Sequence, residues 1–553
     1  METATGSMIE LEFRSNTKYI YPFSEIDVDC TFDSPSGEKY TIPAFYDGDL
    51  TWRVRFTPFE KGEWTYSVSS SPPDQKLNIK GGFSVKQSGN KTHFVEAVPD
   101  KKWKFAYRSG EPCFLMGDTV YNLFGAAHND MDIFKFLKRR KEQGFNYFRV
   151  RCQVSPFHAG RAPGSDLSPE DALYQGKSDY LVKSAWPWGG SPQVPLFDEF
   201  NLGYFQTLDR VLKQSADLDI GFEMILEAWG FEYPFNSRSV FLPEWEELWV
   251  RYLVARYDAF QSVYIWTLMN EYEYYPSGSG ASLPVGSFME TTHDPVSERW
   301  AIRLARYLKG IAPHRHPVAV HNGPPQPPFA ERFKRDLEAI DVVLFQNWGT
   351  IDRERAWLCA GIEESLEKAL EGWQGSAIFA EYGYERNPAL LTTFAPFKYL
   401  DKEHTRRGAW RGAFSGYFII HGFENSWGPY FFVDQDQPGV AHLVHFNNFF
   451  TRVVPYEKLA PCTDIVEKKP AEEGYAPLCL ASEDRSIIAV YLPAGGEVTI
   501  FIDNSGSYNA QWYDTRTGKL HNAEPKTAGG KTVFISAGSG KDKRDDWVLL
   551  LKK

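Results

Sequence analysis

Residues 264–271 read YIWTLMNE and residues 377–383 read AIFAEYG. Each is an apolar run of strand length that stops on a carboxylate, Glu271 in the first and Glu381 in the second. A run apolar on both faces predicts a strand covered on both sides, as in parallel sheets. Amphipathic stretches lie between and around them: Trp245–Ala259, Pro295–Ile311 and Ile362–Trp373, with Met131–Gln143 and Tyr204–Ala216 further upstream. Six more strand candidates join the rhythm: Pro112–Gly117, Tyr147–Arg151, Gly221–Glu227, Pro317–His321, Val342–Gln346 and Ala413–Ile420. Eight strands alternating with helices predict a (β/α)8 TIM barrel.

Outside this region the periodicity changes. Ile9–Phe13, Ile26–Phe32, Tyr40–Phe45, Trp52–Phe56 and Trp64–Val68 are short alternating runs split by turn signals such as Ser34-Pro35-Ser36-Gly37 and Asp47-Gly48. They predict an N-terminal β-sandwich. Beyond Pro455, Leu478–Ala481, Ile487–Leu492, Val498–Ile502, Gln511–Asp514 and Trp547–Leu551 predict a second sandwich. The expected architecture is multidomain: 8–92 an N-terminal β-sandwich, 93–455 the barrel, 456–553 a C-terminal β-sandwich. Met1–Ser7 is set outside the fold.

The 553 residues carry a net charge of −12, which argues against a partner with a phosphate backbone. No apolar run is long enough to span a membrane, and METATGSMIELEF lacks the basic and apolar regions of a secretory signal. The six cysteines show no tight pairing and read as reduced thiols, so the expected location is cytoplasmic. Aromatic residues make up 16% of the chain, enough to serve both a core and a stacking surface for sugars. No metal or cofactor is expected. His314-Arg315-His316 precedes strand five, at the wrong end of a barrel, and reads as surface; His442 and His445 lack an HExxH context. No G-x-S-x-G elbow, G-x-G-x-x-G turn or Walker loop follows a strand.

Barrel chemistry sits at the C-terminal ends of the strands. A carboxylate ending strand four and another ending strand seven could cap helices. Facing each other, they instead suit glycoside hydrolysis, in which one acid must be protonated and the other ionised. A separation of about 5–5.5 Å would indicate retention of configuration. Asp118, Arg149, His321, Asn322, Trp348 and Trp427 fall at or just past other strand ends and are candidates for holding a sugar. Arg151 shares a strand face with Arg149; Glu227, Glu273 and Glu385 are rival carboxylates.

Asn270-Glu271 and Glu381 resemble the acid/base and nucleophile of the large clan of retaining glycoside hydrolases built on (β/α)8 barrels. Gly144-Phe145-Asn146-Tyr147-Phe148-Arg149 resembles that clan's G-x-N-x-x-R, which implies an Arg beside the nucleophile. Gly117-Asp118-Thr119 resembles the close of strand one in the apiosidase-like family, whose barrels often follow a small β domain. Phe45-Tyr46-Asp47-Gly48 and Gly62-Glu63-Trp64-Thr65-Tyr66 resemble that domain, and Trp512–Gly518 resembles the sandwich that commonly closes these proteins. The resemblance implies a retaining glycosidase acting on a carbohydrate, with Asn270 in the substrate site. Characterised apiosidases have Asp where this chain has Glu271, so apiose specificity is not implied. An aromatic often found after strand six is here replaced by Gln346-Asn347-Trp348. A non-catalytic sugar-binding barrel, a transglycosylase with the same residues, and a homo-oligomeric assembly stay open.

Overall fold

The structure is a computed structural model. It describes residues 2–88, 93–99, 103–153, 185–192, 194–230, 233–235, 237–274, 295–323, 328–350, 353–386, 398–424, 436–467, 474–502, 508–528, 531–537 and 545–553. At its centre eight parallel strands close into a barrel. In chain order they are Met116–Thr119, Tyr147–Arg151, Gly221–Trp229, Val263–Asn270, Val318–His321, Val342–Gln346, Ser376–Glu381 and Phe418–His421, called strands one to eight below. Nearly every residue in them is buried, as a sheet covered by helices outside and packed side chains inside requires.

Capping explains where several of the surrounding helices begin. The side chains of Asp132, Asn201 and Asp401 accept backbone N–H bonds at the starts of Ile133–Glu142, Leu202–Ala216 and Lys402–Phe414. Helix Pro243–Tyr257 starts on a proline, whose missing N–H is no loss in a first turn.

Two expected strands move. Strand one is Met116–Thr119 rather than Pro112–Gly117, so Asp118 lies inside the strand, not beyond its end. Strand eight is Phe418–His421, not Ala413–Ile420. The apolar pair Ala413-Phe414 belongs to the buried helix Lys402–Phe414, and Gly416, at φ 92°, turns the chain between helix and strand.

The N-terminal domain packs a five-stranded sheet against a three-stranded one over a core of Phe32, Val54, Phe56, Trp64 and Phe83. Residues set aside at the N-terminus take part in it. Glu2–Ala4 pairs in parallel with Ser84–Lys86 and forms the edge of the larger sheet. The domain is bolted to the barrel by ions. Arg55 binds Asp209 with both guanidinium arms at 2.8 and 2.9 Å, and Arg256 reaches both Asp209 and Asp47. His314, expected at the surface, is fully buried here. Its Nδ1 lies 2.6 Å from Asp258 and its Nε2 accepts the Thr57 N–H at 3.0 Å. The base of this barrel is covered by another domain, so placement there does not mean exposure.

The C-terminal domain pairs a six-stranded sheet, 459–552, with a three-stranded one that contains Glu497–Ile500. The Trp103 indole donates to the carbonyls of Tyr456 and Leu459, tying the barrel to the first strand of this sandwich. Arg406 on the last long barrel helix bonds buried Asp546 at 2.6 Å, and Trp410 stacks on Tyr491. Burial opposes ionisation of Asp546, but Arg406 and Arg407 hold its carboxyl well below the usual range.

Candidate active site

The site is organised around Arg149, fully buried on strand two. Its Nη1 donates to Glu381 Oε1 at 2.5 Å and to the Tyr121 hydroxyl at 2.9 Å. Its Nε donates to Glu223 Oε1 at 3.2 Å, and its Nη2 donates to Asn270 Oδ1. One guanidinium thus ties strands two, three, four and seven together. Thr267 donates to the same Glu223 oxygen at 2.9 Å, and Tyr147 to the other at 2.8 Å. A buried charge needs such partners, because leaving it unpaired costs far more than the pair gains.

Glu381 ends strand seven and is only 5% exposed. Tyr121 donates to its Oε1 at 2.8 Å. Tyr121 has spent its proton there, so the 2.9 Å contact with the Tyr384 hydroxyl is a bond that Tyr384 donates. Among the described residues, the hydrogen bonds to the Glu381 carboxylate all fall on Oε1. The second oxygen is left for other chemistry.

Glu271 follows strand four with a left-handed backbone, φ 52°, uncommon for a residue with a side chain. Its Oε1 accepts the Gln346 amide at 2.6 Å. Burial first, and then the negative charge of Glu381, push its carboxyl up to about 8, against the pull of the Gln346 bond. At neutral pH this favours the protonated form of Glu271. The two acids therefore sit in opposite surroundings: Glu381 is met by a cation and a hydroxyl, Glu271 by a neutral amide.

His321 links them. Its Nδ1 accepts the Glu271 backbone N–H at 3.3 Å, which leaves the ring proton on Nε2. That nitrogen lies 3.4 Å from Glu381 Oε1 without hydrogen-bond alignment. Burial, reinforced by the Arg149 charge, keeps the ring neutral. Asn322 supports Gln346 rather than reaching into the site: its Oδ1 accepts the Gln346 backbone N–H and its carbonyl accepts the Gln346 side-chain amide, both at 2.9 Å. Half-buried Trp348 sets its ring edgewise to Tyr384, with centroids 5.7 Å apart.

Residues 100–425 match the family described as "Apiosidase-like, catalytic domain". The chain belongs to the apiosidase-like family. It is a glycosidase. Residues 7–71 of this apiosidase-like chain match a domain of unknown function (DUF5060), and residues 461–552 match a "Putative collagen-binding domain of a collagenase". Its fold is similar along the full length to a "putative glycoside hydrolase" from Bacteroides vulgatus ATCC 8482: TM-score 0.68, 18% identity, covering 100% of this chain and 99% of that one. A glycoside hydrolase family 5 structure from the same organism is similar at TM-score 0.55 and 15% identity, over 81% of this chain and 91% of that one. No curated protein matches the chain.

Among the expected sugar contacts, Asp118 is corrected. It pairs in register with Phe148 and His421, one residue out of step with the Thr119–Arg149 pair, and so turns to the opposite face of the sheet. There its two oxygens accept from Arg140 Nε at 2.7 Å and His421 Nδ1 at 2.8 Å. Trp427 lies outside the described residues, as does the glycine-rich stretch Gly278-Ser279-Gly280. Arg151 does not stand in for Arg149; it donates to Asn122 and lies over Trp229 at 5.2 Å.

The rival acids have structural partners. Glu227 is held by Arg238, Glu273 by Arg332 and the Gly323 N–H, and Glu385 by the Gly439 N–H. Tyr121, Tyr384 and Glu223 were missed by sequence reasoning. Tyr121 and Tyr384 each lie a few residues beyond a strand end, a position that singles out many side chains. Among the described residues no three His, Cys, Asp or Glu side chains gather as metal ligands, and no helix is long and apolar enough to cross a membrane.

Proposed function

We propose that this chain is a retaining glycosidase in which Glu381 is the nucleophile and Glu271 the acid/base. The unequal treatment of the two carboxyls carries this reading: Arg149 and Tyr121 both donate to Glu381 Oε1, while Glu271 is held largely protonated. A carboxylate clamped through one oxygen presents the other, Oε2, to the anomeric carbon. As Oε2 attacks, the bond to the leaving oxygen breaks and the Glu271 proton passes to that oxygen. The glycosyl-enzyme carries no charge on Glu381, so the repulsion that raised Glu271 is gone. Glu271 then stays ionised long enough to take a proton from water, whose oxygen displaces Glu381 with a second inversion. His321, neutral and fixed by the Glu271 backbone, lies between the two acids without adding a charge. The substrate class is an O-glycoside of an oligo- or polysaccharide. Half-buried Trp348, edgewise to Tyr384, supplies a ring surface such a substrate stacks on.

The test begins with a screen of pyranosidic and furanosidic aryl glycosides. Glu381→Ala should lose several orders of magnitude on every substrate. Glu271→Ala should be severe for poor leaving groups and mild for activated ones, which depart without a proton. Azide should rescue Glu271→Ala with retained configuration and Glu381→Ala with inverted configuration. Equal losses in both variants on all substrates, without azide rescue, would overturn the assignment. A wild-type protein that binds sugars but turns none over would favour the binding-module reading.

A further inference from the structure

Far from the barrel mouth, the C-terminal sandwich carries two cysteines whose surroundings differ from those of the other four. Its first ladder pairs Leu459 with Ser482, Ala460 with Ala481 and Pro461 with Leu480. Continuing that register sets Cys462 opposite Cys479, and the Cys462 N–H donates to the Cys479 carbonyl at 2.9 Å. Directly opposed residues of an antiparallel pair share a face. Both thiols accordingly pack against one apolar cluster, with Ile465, Val490 and Leu551. Opposed Cα atoms in a hydrogen-bonded pair lie about 5.5 Å apart, within the span a disulfide bridges.

The two thiols are unequal. Cys479 is buried, whereas Cys462 is partly open to solvent. Arg485, on the turn after the Cys479 strand, directs Nη1 at Cys462 Sγ from 2.7 Å. Asp464 Oδ1 lies 2.7 Å from the same sulfur and also accepts from Arg485 Nη2 at 3.2 Å, so an acceptor for the thiol proton and a cation for the thiolate are both in place. The Cys479 thiol, then Arg485, bring Cys462 down to about 6 against burial and the opposing Asp464 carboxylate. Burial pushes Cys30, Cys152 and Cys359 the other way.

We propose that Cys462 is a peroxide-reactive thiol that Cys479 resolves, closing a reversible cross-strand disulfide at the joint between barrel and sandwich. In the first step the Cys462 thiolate attacks one oxygen of a hydroperoxide. An S–O bond forms, the O–O bond breaks, and the departing oxygen leaves as an alcohol or water after taking up a proton. The sulfur loses two electrons, which the peroxide gains. In the second step the Cys479 sulfur, giving up its proton, attacks the Cys462 sulfenic sulfur. The S–S bond forms and the S–O bond breaks, with hydroxide leaving and joining that proton as water. The bridge would staple the edge strand Leu459–Pro461, whose Leu459 carbonyl holds Trp103 of the barrel, to the strand beside it.

The experiment uses the full chain, reduced and then exposed to hydrogen peroxide, and needs no glycoside. Titratable thiols under denaturing conditions should fall from six to four, and non-reducing peptide mapping should join Cys462 to Cys479. Dithiothreitol should restore all six. Before oxidation, iodoacetamide at pH 7 should alkylate Cys462 at least about tenfold faster than any other cysteine, and Arg485→Ala should slow it. In Cys479→Ser, oxidation should stop at a Cys462 sulfenic acid that dimedone traps. A wild-type chain that keeps six thiols, joins other cysteines, links only between chains, or carries Cys462 on to sulfinic acid would overturn the proposal.

Discussion

Replacing Gln346 with methionine tests how the acid on strand four is tuned. The Gln346 amide spends one hydrogen on Glu271 Oε1 at 2.6 Å and the other on the Asn322 carbonyl at 2.9 Å. Methionine keeps the side chain's length and removes both donations. A hydrogen bond to the ionised form of a carboxyl contributes about 1.5–3 kcal/mol. At 1.36 kcal/mol per pH unit, its loss should raise the Glu271 titration by about one to two units above its starting value of about 8. In the proposed mechanism activity falls as Glu271 loses its proton, so the alkaline limb of kcat/KM on a glycoside with a poor leaving group should move up while the acidic limb stays. The same titration can be followed without substrate by carbon-13 labelling of glutamate carboxyls, with the Glu271 signal assigned by its disappearance in Glu271→Gln. The unpaired Asn322 carbonyl would lower stability but would not move this titration. An alkaline limb that holds its place, or moves to lower pH, would refute the reasoning.

Tyr121→Phe removes one of the two donors on Glu381 Oε1, and kcat should drop about ten- to hundredfold with KM little changed, as steady-state kinetics would show. Arg149→Met leaves Glu381 and Glu223 buried without their cation, and urea denaturation should show a loss of about 3–5 kcal/mol. Asp209→Ala removes the acid that Arg55 and Arg256 share at the joint with the N-terminal domain, leaving them only Glu10 and Asp47 as acidic partners. A loss of about 3 kcal/mol and earlier proteolysis of that domain are expected. His421 is drawn down by burial, yet Asp118 and Glu385 hold it above its ordinary value. Its contribution to stability is therefore complete below about pH 6.5 and lost as pH rises through the folded value. The difference in urea midpoint between the wild type and His421→Gln should shrink with rising pH.

The barrel was legible because strands such as Tyr264–Asn270 are apolar on both faces and alternate with amphipathic helices. That pattern follows directly from covering a parallel sheet on each side. Glu271 and Glu381 were legible for a related reason: a carboxylate after an apolar run marks the strand's end. The face on which a side chain emerges was harder to read. Asp118 lies one residue from Thr119, the register partner of Arg149, and that single step puts it among the outer helices with Arg140 instead of in the pocket. Strand eight was displaced because Ala413 and Phe414 are as apolar in a buried helix as in a strand. Tyr121 and Tyr384 could not be found from spacing at all. The chain from Tyr384 through Tyr121 to Glu381 comes from barrel closure, which brings the loop after strand one beside the end of strand seven.

The left-handed backbone at Glu271 bears on how this protein would respond to selection. A side chain in that conformation costs about 1 kcal/mol or more, and glycine or asparagine would hold the same turn more comfortably. The half-buried acid next to Glu381 adds its own electrostatic penalty. In the proposed mechanism position 271 gives up stability for reactivity, and Glu271→Gly or Glu271→Asn should yield a sturdier protein that no longer turns over glycosides with poor leaving groups. Such variants suit the trapping of substrate complexes. Conversely, a hunt for heat-resistant mutants that never assays turnover would be drawn to this position, and its winners would be inert on those glycosides.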